Sequence, residues 1–84
     1  MKISVEISYY PLNDEYLDPI QSFIDRIKLN NHLVVRVNGM STQVFGEYDE
    51  VMSTITREIK KSFELPHSVF VMKVINADLQ EIPA

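Results

Sequence analysis

Residues 35–52, VRVNGMSTQVFGEYDEVM, are the stretch on which the fold turns. They predict a strand, a tight turn at Asn38-Gly39, a second strand, and a glycine-hinged lead into a helix at Gly46-Glu47-Tyr48-Asp49. Asn-Gly between apolar-rich runs is the strongest short-range hairpin signal, because both central residues of a type I′ turn need positive φ. The two glycines of the chain, Gly39 and Gly46, bracket one short strand. A two-residue turn sets Val37 opposite Met40, Val35 opposite Thr42 and Leu33 opposite Val44, making one side of the hairpin nearly all apolar. The other side then holds Val34, Arg36, Ser41, Gln43 and Phe45.

Ahead of the hairpin, Lys2 to Tyr10 alternates strictly, with Ile3, Val5, Ile7 and Tyr9 on one face, the signature of a half-buried strand. Pro11 ends it, having no N–H for a ladder. A helix follows, with Asp18 as cap, Pro19 at its first position and Gln21 completing a capping box. Ile20, Phe23, Ile24 and Ile27 form its apolar stripe, and Asn30-Asn31 are its exit, since asparagine tolerates the left-handed conformation.

Beyond the hairpin, Asp49 caps a second helix whose stripe is Met52, Ile55, Ile59 and Phe63, and which Leu65-Pro66 stops. Ser68 to Ile75 is a last strand, apolar on both faces; from Asn76 onward lies a polar tail, an arm or a frayed end. The order β-α-β-β-α-β with right-handed crossovers predicts an α+β, ferredoxin-like sandwich. Its four-stranded antiparallel sheet has the order 4-1-3-2, with two helices on one face. The whole of 1–84 reads as one such domain, with 77–84 as tail.

The uncovered face of that sheet is expected to present Ser4, Glu6, Ser8, Tyr10, Val34, Arg36, Gln43 and Phe45, with Val69, Val71, Lys73 and Ile75 from the last strand. Aliphatic residues at both edges plus Phe45 make a patch that a monomer does not leave wet. Burying five such residues contributes on the order of 5–10 kcal/mol before ordering costs. The expected partner is therefore the chain itself, as a homodimer or homotetramer.

Composition narrows the chemistry. A net charge of −4 and the absence of a basic stripe argue against nucleic acid. Arg57, Lys60 and Lys61 sit among Glu50, Glu58 and Glu64, which reads as a solvated helix face. No cysteine is present, removing disulfides, thiolate metal sites and a thiol nucleophile together. No apolar run reaches the roughly 20 residues of a membrane span, and a soluble, cytoplasmic protein is expected. His32 and His67 precede opposite edge strands, about 14 Å apart over three strand spacings, so no metal is expected between them. The adjacent pairs Asp14-Glu15 and Asp49-Glu50 point apart and do not suit acid–base work. Tyr10-Pro11-Leu12 stands where an acylphosphatase has its glycine-rich anion loop, and no phosphate loop or nucleophile elbow appears. No catalytic residue, metal or cofactor is expected.

What survives is a polar-aromatic cluster near the sheet centre: Ser8, Tyr10, Ser41, Thr42, Gln43 and Phe45, with Met40 near the turn. Such residues suit a small heteroaromatic ligand in a pocket completed by a neighbouring subunit, and Glu6 favours a cationic one. The same residues suit a wet or hydrogen-bonded oligomer interface without a ligand, and taken alone they favour that reading.

The segments ISYYPL (7–12), DPIQSFIDRIK (18–28) and NGMSTQVFGEYDEVM (38–52), followed by a closing V-x-V strand, resemble the small thiamine-binding protein family, formerly a domain of unknown function. The likeness spans nearly the whole chain and is most specific in the Met-Ser-Thr…Gly segment. It implies ferredoxin-like subunits assembling as dimers and tetramers, and binding of thiamine or its hydroxymethylpyrimidine part without turnover. The positions it carries over are Ser8, Tyr10, Met40, Ser41, Thr42 and Gly46. The face assignment adds Gln43 and Phe45.

Overall fold

The computed structural model describes residues 1–81. The elements are β1 (Lys2–Pro11), α1 (Leu17–Lys28), β2 (Val34–Val37), β3 (Thr42–Glu47), α2 (Tyr48–Ser62) and β4 (Ser68–Ile75). All neighbouring strands pair antiparallel in the order β2-β3-β1-β4, the expected 4-1-3-2 topology. This is the ferredoxin-like sandwich.

The alternation of β1 works as its period requires. Ile3, Val5, Ile7 and Tyr9 are buried and cluster with Phe23 and Ile27 of α1, Val51 and Ile55 of α2, and Val44 of β3. At one end the core is aromatic: Tyr9 stacks on Phe70 at 4.2 Å between centroids, and Phe23 lies 4.9 Å from Phe70. The Tyr9 hydroxyl keeps a partner at 2.9 Å in Ser68 Oγ, so its burial leaves no polar atom stranded.

The two helices are joined by charge, and the loop after α1 is tied to α2 by an amide. Glu58 accepts from Arg26 Nε at 2.8 Å and from Arg57 Nε at 2.9 Å, and Arg26 Nη2 also donates to Ser62 Oγ at 2.7 Å. Burial pushes the Glu58 carboxyl up, but the hydrogen bonds and charges of Arg57 and Arg26 outweigh it and hold the group below its ordinary value. Asn30 donates to the buried Thr54 hydroxyl at 2.8 Å and to Glu50 at 3.0 Å.

Local expectations fail where side-chain chemistry offers the backbone another solution. Among the described residues no φ is positive, so Asn38-Gly39 is not a type I′ turn. Val37 pairs with Thr42 and Val35 with Val44, which leaves Asn38–Ser41 as a four-residue loop. The Asn38 side-chain oxygen shapes it by accepting from the N–H groups of Met40 (2.8 Å) and Ser41 (2.9 Å). The register slips by two residues, so every residue that remains in a strand keeps its face, while Met40 and Ser41 pass from the expected strand into the loop. Asn30 likewise ends α1 without a left-handed turn, its Oδ1 accepting from the His32 N–H at 3.0 Å.

Neither helix starts on its expected cap. Tyr16 precedes α1 and Glu47 precedes α2, neither with a side-chain cap hydrogen bond, and Asp18 and Asp49 lie in the first turns instead. There they still face the positive end of the dipole. Pro19 fits because first-turn N–H groups have no helical partner to lose. Among the described residues no helix is long and apolar enough to cross a membrane.

Candidate functional site beneath the C-terminal segment

The face away from the helices is organised in rungs that run across the strands. One rung joins Val34 (β2), Phe45 (β3), Ser4 (β1) and Ile75 (β4). The next joins Arg36, Gln43, Glu6 and Lys73 in the same order. Beyond it Ser8 pairs with Val71, and Tyr10 with Val69. These are the residues that alternation assigns to this face.

The centre of the first rung, Ser4 and Phe45, is covered by the chain itself, while Val34 and Ile75 at its ends stay exposed. Ser4 Oγ donates to the Ala77 carbonyl at 2.7 Å and accepts from the Leu79 N–H at 2.9 Å, drawing residues 77–79 over the sheet. Arg36 Nη1 donates to the Gln80 carbonyl at 2.7 Å, and its guanidinium lies 5.3 Å above the Phe45 ring centroid. The Asp78 side chain accepts from the Gln80 N–H at 3.0 Å and turns the segment there. Phe45 is in consequence only 5% exposed although it points away from both helices.

Between this segment and the sheet lies a cavity of about 960 Å³, within the size range of small-ligand pockets. Ser4, Glu6, Arg36, Asn38, Gln43 and Phe45 line one part of it, and Lys73, Ile75 and Leu79 to Glu81 line another. Its charges alternate along the second rung. Lys73 Nζ stands 3.5 Å from one Glu6 oxygen, while Ser41 Oγ donates to the other at 3.1 Å. The described side chains contain no group of three or more His, Asp or Glu residues arranged to hold a metal.

The expected site residues divide. Gln43 and Phe45 line the cavity. Ser41 touches its margin through Glu6. Ser8 and Tyr10 share the face but lie outside the cavity, Ser8 Oγ being 3.5 Å from the Met40 carbonyl. Met40 sits at the loop tip, 89% exposed. Thr42 and Gly46 pair with Ile7 and Ile3 on the helix side, where Thr42 is buried. A Cβ at Gly46 would stand 3.0 Å from Leu33 Cδ2 and 3.2 Å from Val51 Cγ2, so its absence lets β3 and α2 approach. The expected pocket needed a neighbouring subunit; here its second wall comes from the C-terminal segment of the same chain. Alternation places Arg36 and Lys73 on this face but signals no role for either, and Asp78 ahead of Gln80 is the local sign of a turn.

The fold and cavity define an α+β sandwich with a strapped sheet face. No family profile matches the chain, and no curated protein does. Several solved structures share the fold. A Streptococcus pneumoniae protein superposes with a TM-score of 0.86 at 20% identity, covering 98% of this chain and 93% of its own. A Thermotoga maritima protein, assigned provisionally to thiamine biosynthesis or salvage, gives 0.82 at 19% identity over 92% and 85%. A domain of unknown function from Bacillus cereus gives 0.69 at 13% identity over 98% and 88%.

Proposed function

We propose that this protein binds thiamine, or its hydroxymethylpyrimidine part, in the cavity under the C-terminal segment, without turning it over. The observation that supports the reading most is the cavity itself, with an amide, a carboxylate and an apolar wall around one volume. Gln43 offers donor and acceptor to a pyrimidine edge, Glu6 a negative charge, and Phe45 with Leu79 the apolar surface. The resemblance of residues 38–52 to thiamine-binding proteins agrees with this, as does the shared fold of the Thermotoga protein. The subunits assemble through the uncovered part of the sheet and act in the cytoplasm.

Thermal unfolding with and without ligand tests it. Ligand at one hundred times its dissociation constant adds about 2.7 kcal/mol. For a domain of this size each kcal/mol moves the midpoint by about 4–8 °C. A rise of roughly ten degrees or more with thiamine or the pyrimidine, absent with an unrelated vitamin, supports binding. No rise at millimolar concentration of either overturns it.

A second reading, assembly with no ligand, rests on the apolar strip that the segment leaves bare. Tyr10, Val69, Val71 and Ile75 are each 41–54% exposed. Phe45, expected to contribute to that interface, is covered by its own chain. Light scattering that returns a 9.7 kDa particle would remove assembly from both readings.

A further inference from the structure

Two features of the cavity that would hold a cationic aromatic ligand are already held by cations of the chain. The Glu6 carboxylate faces Lys73 Nζ at 3.5 Å, and the Phe45 ring lies under the Arg36 guanidinium at 5.3 Å. Both cations come from the edge strands, and both share one rung with Glu6 and Gln43 between them. The geometry points to Arg36 and Lys73 as internal stand-ins for the ligand, Lys73 being the displaceable one and therefore the residue that sets selectivity for charge. The inference deepens the proposed site and rests on that reading for its location.

The two cations are held differently. Arg36 is tied to the Gln80 carbonyl and to Phe45, so moving it also unfastens the C-terminal segment. Lys73 has a side chain 84% exposed and, among the described residues, no hydrogen bond, only the ion pair. Exposed pairs of this kind are weak, and a lysine ammonium regains full hydration on leaving. Glu6, 40% exposed and steadied by the Ser41 hydroxyl, stays in place to receive another cation. A positively charged heteroaromatic ring therefore exchanges one ion pair for another. A neutral ring leaves the Lys73–Glu6 pair intact. A monocation reaches Glu6 only by displacing Lys73, so Lys73 sets how far the site discriminates between organic monocations and neutral rings.

Calorimetric titration of the full chain tests this with three probes: thiamine, neutral hydroxymethylpyrimidine at mildly alkaline pH, and N-methylpyridinium. Lys73→Gln is expected to tighten both cations by about two- to fivefold, the worth of an exposed ion pair expressed as affinity. It should leave the neutral pyrimidine unchanged. Glu6→Gln should weaken the cations by about tenfold or more and again spare the neutral ring. Far-ultraviolet circular dichroism of each variant shows that the fold is kept. If Lys73→Gln weakens thiamine, or shifts charged and neutral probes alike, the stand-in role is wrong while the pyrimidine site survives. If only N-methylpyridinium binds, with the expected response to both substitutions, the pyrimidine reading falls and the selectivity mechanism stands. If none of the three binds to any form, both fall.

Discussion

Ser4 Oγ lies 2.9 Å from the Leu79 N–H and 2.7 Å from the Ala77 carbonyl, one hydroxyl acting as acceptor and donor to a segment more than seventy residues away. Ser4 is buried by that segment although it faces away from the helices. Ser4→Ala removes both bonds and leaves an amide and a carbonyl to find water. A loss of about 1–2 kcal/mol is expected. Faster hydrogen exchange at Leu79, with the β1–β3 amides unchanged, would show that the segment alone has loosened; unchanged exchange at Leu79 would mean it is held elsewhere.

Glu58 links pH to stability. Its carboxyl is held below the ordinary value in the folded protein, so the folded state binds the proton more weakly than the unfolded one. The sign follows: this contribution is complete above the unfolded-state value near 4.5 and is lost as pH falls through the lower folded value. Glu58→Gln should lower the thermal midpoint at neutral pH, and the gap to the parent should close in acid. A gap that persists undiminished at low pH would assign the loss to packing.

The two glycines should respond oppositely to alanine. At Gly39 nothing lies within 4 Å of an added Cβ and φ is not positive, so Gly39→Ala is expected to be neutral or to stabilise by about 0.4–1 kcal/mol. At Gly46 the new methyl meets Leu33 and Val51, both buried and Val51 β-branched. Gly46→Ala should cost about 1–3 kcal/mol. Denaturant midpoints of the two variants at equal slope decide it.

Val71 tests the bare strip. It is 54% exposed and pairs with Ser8 on the open face, outside the cavity. Val71→Asp should leave folding and pyrimidine binding in place and lower the mass seen by light scattering. An assembly that tolerates the aspartate uses another surface.

Phe45→Ala makes a poor binding test, because the ring is buried beneath Arg36 and beside the segment. Truncating a buried phenylalanine costs about 3–5 kcal/mol, a large share of a small domain's stability. Phe45→Leu keeps most of the volume and is expected to unfold within about 1.5 kcal/mol of the parent.

Face assignment was legible throughout from residues such as Ile3, Val5, Arg36 and Lys73, because strand periodicity is two and the loop slipped by two. Turn geometry at Asn38 and the helix starts were less so. There the backbone chose among local hydrogen-bonding schemes that differ by little, and the same residue types serve each of them. The site divided along the same line: Gln43 and Phe45 follow from parity, whereas a motif segment read as one unit put Thr42 and Gly46 with residues on the opposite face.

The amino-acid order by itself determined the element order, the sheet topology and the side each strand residue faces, since these rest on local periodicity repeated over many residues. Which part of the open face is covered was decided only in three dimensions. Ser4, Arg36 and the backbone of residues 77–80 form their bonds across distances in the chain where no local pattern exists. A hydroxyl on a strand announces nothing about the distant carbonyl that will meet it.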